Sequence, residues 1–298
     1  MICYVILHYK NILDTKKCIY SLNKIIDPSS HIVVVDNGSN DGTGEKLREE
    51  CESKQISVLI LSKNLGFSKG NNAGYVFARE NYSPDFIVVT NNDVVFNQID
   101  FEKKIKELYK NEYFDVMGPD VYIPKNKEHQ NPIFLKGITI LELEQELEEY
   151  KRYLKTPIKF KKRLKLHWIK NRLISQYPII RKLNSKIRHK EEIDYRKEYE
   201  SVGLQGSCII VSKKYILNEA KMFEPEPFLY CEEEFLYYKC LDKKYKILYS
   251  PAISIRHEEA ASFRNMVKSD EEKLKFMLEN HVKSREMLLE FLKTRDYK

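Results

Sequence analysis

The chain has 298 residues, 42% of them hydrophobic and 32% charged, with a formal net charge of +7. That length and balance suit one sizeable α/β domain with appendages, and the twenty Tyr and fourteen Phe exclude a disordered chain. No apolar run approaches the ~20 residues that span a bilayer. The six Cys show no CxxC pair, so reduced, buried thiols are expected in place of disulfides or zinc ligands.

From the N-terminus, Ile2 to Tyr9 reads as a buried first strand and not a signal peptide, since no basic region precedes it. Asp14 to Ile26 has helical spacing through Cys18, Leu22 and Ile25, with Asp14 as cap and Asp27-Pro28 as stop. Ile32 to Val35 predicts a second strand, residues 44 to 53 a helix, and Ile56 to Leu61 a third strand. Residues 64 to 74 lead into a helix ending near Glu80. Asp85 to Phe96 is the predicted fourth strand, residues 98 to 111 its helix, and Phe114 to Met117 a fifth strand. Four strands alternating with helices, each with a polar loop at its carboxyl end, specify an α/β fold with a mainly parallel, doubly wound sheet. Beyond residue 120 the pattern loosens. Gly203 to Val211 reads as a core strand, Glu232 to Leu241 as a helix, Lys246 to Tyr249 as a strand, and residues 270 to 293 as an amphipathic C-terminal helix.

Open α/β sheets bind ligands at the carboxyl ends of their strands. Asn91-Asn92-Asp93 follows a buried strand at such an end, where a carboxylate is placed to hold a metal; Asn and Asp also cap helices at such turns. Asp36 opens the loop Asn37-Gly38-Ser39-Asn40-Asp41-Gly42-Thr43, whose amides and short side chains let a ligand approach closely. A carboxylate there suits the imide N–H of uracil or thymine, and an ordinary Asn-Gly turn is the alternative.

The order of three motifs resembles the family 2 glycosyltransferases. These are Val35 to Thr43, the run Asn64-Leu65-Gly66-Phe67-Ser68-Lys69-Gly70-Asn71-Asn72-Ala73-Gly74, and Asn91-Asn92-Asp93. The resemblance is dense over residues 1 to about 120 and looser over 203 to 262, and rhamnosyltransferase-type members share the second and third motifs. It implies the GT-A fold and a nucleotide-sugar donor. Asp36 would bind the nucleobase with Tyr9 nearby, and Asn37, Ser39, Asn64, Gly66, Phe67, Gly70, Asn71, Asn91 and Asn92 would line the donor site. Asp93 matches the last carboxylate of the family's DxD motif and would hold Mg²⁺ or Mn²⁺, which commonly uses one or two carboxylates with phosphates and water. Phe228-Leu229-Tyr230-Cys231-Glu232-Glu233-Glu234-Phe235-Leu236 resembles the family's flYxEDvDL segment. Glu233 then falls on the general base and Glu232 on the preceding Glu, and Phe235 replaces the pattern's second Asp. The register therefore leaves Glu232 or Glu234 as alternatives. An ordinary Glu near pKa ~4.3 is unprotonated at neutral pH and suits the task. Pro251 to His257 resembles the strand whose terminal His lies near metal and diphosphate, and Gly206-Ser207 resembles an acceptor-side turn.

The expected organisation is a nucleotide-sugar-binding half over 1–120 and an acceptor-binding half over 121–262. The latter includes a basic helical insertion at about 140–195, and a C-terminal helical segment covers 263–298. Residues Lys151 to Lys190 carry fifteen Lys or Arg and no acidic residue, so the rest of the chain holds a net −8. Trp168 and branched aliphatics interleave with these charges, a pattern suited to an anionic membrane surface. A solvated helical pair, or a dock for the acidic run Glu142 to Glu149, are the alternatives. The resulting expectation is an inverting, metal-dependent transferase acting in surface polysaccharide synthesis. It would move a sugar, rhamnose among the candidates, from a dTDP- or UDP-sugar to a saccharide or polyisoprenoid-linked glycan. Its expected place is cytoplasmic, peripheral on the inner face of the cell membrane. A nucleotidyltransferase is the competing enzyme, but His8-Tyr9-Lys10-Asn11 lacks the Gly-rich phosphate loop such enzymes show after strand one. A nucleic-acid-binding role for residues 151–190 is disfavoured by the −8 remainder and the absence of a nucleic-acid module, so no nucleic-acid partner is expected.

Overall fold

The computed structural model describes residues 1–157, 160, 193–258, 270–295 and 297. Strands are β1 (Ile2–His8), β2 (His31–Asp36), β3 (Ile56–Ile60), β4 (Phe86–Asn91), β5 (Val94–Val95), β6 (Val116–Ile123), β7 (Glu128–His129), β8 (Tyr199–Glu200), β9 (Cys208–Ser212) and β10 (Ile247–His257). Helices are α1 (Ile12–Leu22), α2 (Thr43–Cys51), α3 (Gly66–Tyr82), α4 (Phe101–Glu112), α5 (Ile140–Lys155), α6 (Lys213–Asn218), α7 (Glu232–Lys243) and α8 (Asp270–Lys293). Contacts divide the chain into two compact units, Met1–Ile138 with Tyr195–Asn265 and Thr139–Asp194 with Met266–Lys298.

The first unit is built on one ten-stranded sheet whose main path runs β3-β2-β1-β4-β9-β6-β10-β5. β3, β2, β1 and β4 pair in parallel, the arrangement expected from strands alternating with helices. Their β-branched runs are buried because both faces are covered. Tyr4, Ile6 and Val34 share one core with Cys18 and Leu22 of α1 and Phe101 and Ile105 of α4. On the other face α3 comes so close that a Cβ on Gly74 would meet Val5 and Val35.

The second half of the sheet departs from a simple parallel winding. β9 runs antiparallel between β4 and β6, and β10 then pairs in parallel with β6. The expected strand at Gly203 begins only at Cys208, because residues 203–207 turn instead and Gly203 bridges Phe134. The expected strand at 246–249 continues through Pro251 to His257, with the register slipping between Ser250 and Ser254. Proline cannot donate to a ladder, so the irregularity falls where it must. The predicted fourth strand stops at Asn91. Asn92 and Asp93 turn the chain, and β5 comes back antiparallel to β10 with Val94 opposite His257.

In the second unit, Thr139 and Glu142 close a capping box on α5. Phe160, Leu274 and Leu278 form its core with Tyr150, Tyr153, Leu154 and Met277 around them. Glu144 and Glu146 of the acidic run pair with Lys293 (2.6 Å) and Arg285 (3.1 Å) of α8. Among the described residues no helix is long and apolar enough to cross a membrane. The basic insertion and its membrane contact rest on residues 151–190, of which 158, 159 and 161–190 lie outside the described residues.

Candidate active site

Three loops at the carboxyl ends of β2, β3 and β4 meet through short polar side chains. Asp36 is almost wholly buried, and its Oδ1 accepts from the Ser39 amide at 3.1 Å and from the Ser39 hydroxyl. Ser39 Oγ in turn accepts from the Lys10 amide at 2.8 Å, which ties the loop to the end of β1 beside Tyr9. Asn37 Nδ2 donates to Asn64 Oδ1 (3.1 Å) and the Gly66 carbonyl (3.0 Å), while its Oδ1 accepts from Leu65. Asn37 thus stitches the β2 loop to the start of α3. Gly66 takes φ +82°, and a Cβ there would sit 2.4 Å from the Phe228 carbonyl, so only glycine lets the two segments meet. Gly70 lies buried in α3 beside Leu7 and Asn37. Phe67 donates its amide to the Phe228 carbonyl at 2.7 Å.

Asn91 donates its amide to the Ser207 carbonyl at 2.9 Å. Asn92 turns inward: its side-chain amide donates to Thr15 Oγ1 (3.0 Å) and the Asn11 carbonyl (3.3 Å), so it braces the loop. Thr15 also meets Nδ1 of His8 at 2.7 Å, and Nε2 of His8 meets Thr43 at 3.0 Å. Burial holds the His8 ring below its ordinary pKa, hence neutral. This chain from Thr43 to Asn92 had no sequence signal beyond residue type.

Asp93 and His257 come together at the β5–β10 pairing, with Nε2 3.2 Å from Oδ1 and both side chains mostly buried. Nδ1 of His257 lies 3.0 Å from Gln130 Oε1, so that contact needs the ring proton on Nδ1. Nε2 then faces the Asp93 carboxylate. Among the described residues no three or more His, Cys, Asp or Glu are arranged to hold a metal ion by themselves. One carboxylate and one imidazole fit a divalent ion whose remaining ligands come from phosphate and water, and do not fit a closed protein cage.

Glu232, Glu233 and Glu234 form the first turn of α7, entered through Tyr230 (φ 70°) and Cys231 (φ 65°). Two successive non-glycine residues in the left-handed region cost roughly 1–3 kcal/mol each, strain of the kind held at functional sites. Glu232 points into the protein; burial first, then Glu233, hold its carboxyl well above the ordinary range. Glu233 is half-buried, and its Oε1 accepts from the Gly206 amide at 3.2 Å. Burial first, then Glu234, push it to about 7, against the Gly206 amide that favours the charged form. The expectation of an ordinary carboxyl is therefore corrected: desolvation at the helix start raises it. Phe235 is wholly buried, so a charge at that position would be costly. Of the three glutamates, Glu233 is the one held by the 205–207 turn.

Eight buried side-chain atoms have no hydrogen-bond partner among the described residues, and Ser68 Oγ, Asn71 Oδ1, Ser207 Oγ and Glu232 Oε2 are four of them. All four belong to the loops and helix starts described above. Unsatisfied buried groups are uncommon in a folded protein, so a polar ligand or water is the simplest partner for them.

Residues 3–188 match the family described as Glycosyl transferase family 2. The low-salt glycan biosynthesis hexosyltransferase Agl10 of Haloferax volcanii is 31% identical over 105 residues, which covers 35% of this chain and 30% of that protein. Among solved structures, S. aureus TarS 1–349 aligns over 95% of this chain and 71% of its own, at 13% identity and TM-score 0.52. TarS 1–349 has also been solved with UDP and with UDP-GlcNAc. The mannosyltransferase PcManGT of Pyrobaculum calidifontis, solved with GDP-Man and Mn²⁺, aligns over 94% of this chain and 68% of its own, at 9% identity and TM-score 0.51. These neighbours share the GT-A fold with this chain, and with the family match spanning well over half its length, the chain belongs to glycosyl transferase family 2.

Proposed function

We propose that the protein transfers a hexosyl group from a nucleoside-diphosphate sugar to a hydroxyl of a saccharide or lipid-linked glycan, with inversion at the anomeric carbon. One observation carries this reading. The 205–207 turn joins Glu233, through the Gly206 amide, to the Asn91–Asp93 loop, through the Ser207 carbonyl. A base and a diphosphate-side carboxylate therefore flank one turn. Glu233 takes the acceptor's proton, the acceptor oxygen bonds to the anomeric carbon, and the bond from that carbon to the diphosphate oxygen breaks. A base near pKa 7 is matched to neutral pH, so proton transfer is efficient in both directions. Asp93 and His257 would hold Mg²⁺ or Mn²⁺, whose charge supports the departing diphosphate.

Asp36, Asn37, Asn64 and the start of α3 supply the nucleotide side in this reading, with Tyr9 near the base. The nucleotide complexes of the fold neighbours support a nucleotide-sugar donor, and the Mn²⁺ of PcManGT supports a divalent ion. A dTDP- or UDP-sugar, including a rhamnosyl donor, follows from the motif resemblance. The test is a thermal-shift screen of nucleotide sugars with and without Mn²⁺. A ligand at 100 times its dissociation constant adds roughly 2.7 kcal/mol of stability. No stabilisation by any nucleotide sugar, with metal present, would refute the reading.

A further inference from the structure

The hairpin leaving β6 carries two adjacent polar residues that serve different parts of the site. Gln130 Oε1 meets Nδ1 of His257 at 3.0 Å. Asn131 is wholly buried, accepts the Gln205 amide on Oδ1 at 3.1 Å and donates from Nδ2 to the Pro119 carbonyl at 2.7 Å. Two backbone bonds of 2.9 Å, Ile133 to Gly203 and Gly203 to Phe134, fasten the same segment to the turn. The turn then offers the Gly206 amide to Glu233, and a Cβ on Gly206 would lie only 3.0 Å from Glu233 Oε1. Gly118 leaves the space Asn131 needs, since a Cβ there would stand 2.4 Å from Nδ2.

We propose that Gln130 and Asn131 are positioning residues for sugar transfer, Gln130 acting through His257 and Asn131 through the Gly206 amide that holds Glu233. This rests on the function proposed above. The physical case is that both contacts are made from buried or half-buried amides with defined partners, and a buried amide left unmatched is costly. Second ligands of this sort orient the first and tune its chemistry. The groups facing Glu233 are Glu232 and Glu234 of its own helix and, from the turn, the Gly206 amide, with the Phe67 ring packed against Gly206. Moving that amide removes one of the two backbone contacts that favour the charged form, the other being the amide of Glu233 itself.

The test separates the two residues. Asn131→Ser should raise the Glu233 midpoint by about one pH unit, since a hydrogen bond to a charged group is worth at least that much. The variant would lose about fivefold in kcat at pH 7 and recover near pH 9, with donor KM unchanged. Carboxyl NMR of Glu233, assigned with Glu233→Gln, reads the same midpoint without turnover. Gln130→Met should leave that midpoint in place and raise the Mn²⁺ needed for thermal stabilisation by a nucleoside diphosphate, by about tenfold. Should Asn131→Ser not accumulate, Gly118→Ala crowds the same amide and carries the same expectation. An even loss of kcat at every pH with the midpoint unmoved, or an unchanged Mn²⁺ requirement in Gln130→Met, overturns the assignment. Because the NMR titration needs no turnover, it decides the assignment even where no sugar is transferred, a result that would instead overturn the proposed function.

Discussion

Replacing Glu233 by Gln removes one proton-accepting oxygen while keeping the shape of the side chain and an Oε1 that accepts from Gly206. A general base contributes about 10²–10⁴-fold to rate, or about 3–5 kcal/mol of barrier at ~1.4 kcal/mol per decade. The loss in kcat should fall in that range at pH 8, where the wild-type carboxyl is largely charged. Below its midpoint of about 7 the wild-type rate should fall tenfold per pH unit, and the variant's residual rate should be flat. Stability runs the other way. The folded carboxyl sits at about 7 against an ordinary 4.5, so the folded state holds the proton more tightly. Its contribution is full below about pH 4.5 and is lost as pH rises through 7. Glu233→Gln cannot ionise, so its melting temperature should gain on the wild type between pH 5 and 8. The assays are initial rates at saturating donor and melting curves across that range. A variant within threefold of wild-type activity, or dead only as Glu232→Gln, would show that the register of the base is wrong.

Asp93→Ala should abolish transfer and the Mn²⁺-dependent part of nucleotide stabilisation while the metal-free melting temperature stays close to wild type; full activity in EDTA would remove the metal from the mechanism. Gly66→Ala should destabilise by about 1–3 kcal/mol, because the residue sits at φ +82° with no room for a Cβ, and chemical denaturation reads it directly. The basic stretch 151–190 should bind anionic liposomes at low salt and release at high salt, at about 1 kcal/mol per engaged Lys or Arg. Reversing Lys161, Lys162, Arg163 and Lys165 together should weaken that binding and spare nucleotide binding, whereas equal partition to neutral liposomes would argue for another role.

Local chemistry made part of this protein legible from its sequence. Runs such as Ile32 to Val35 can hardly be anything but buried strands, and Asp36 and the Asn91–Asp93 loop are legible as strand ends because polar and turn-forming residues interrupt the apolar runs there. The three glutamates of α7 were visible as a group for the same reason, charge at a helix start. Choosing among them required the fold. Glu233 meets Gly206 only because the 203–207 segment turns before β9 inserts between β4 and β6. His257 reaches Asp93 only because β5 folds back on β10, and Gln130 is 127 positions from the imidazole it orients. The carboxyl of Glu233 moves to about 7 through burial, a property of the whole unit and not of any tripeptide. Short-range periodicity and turn preference act within a few residues and are written into the chain. Hydrogen bonds between distant loops and the desolvation of a charge exist only once the sheet has assembled.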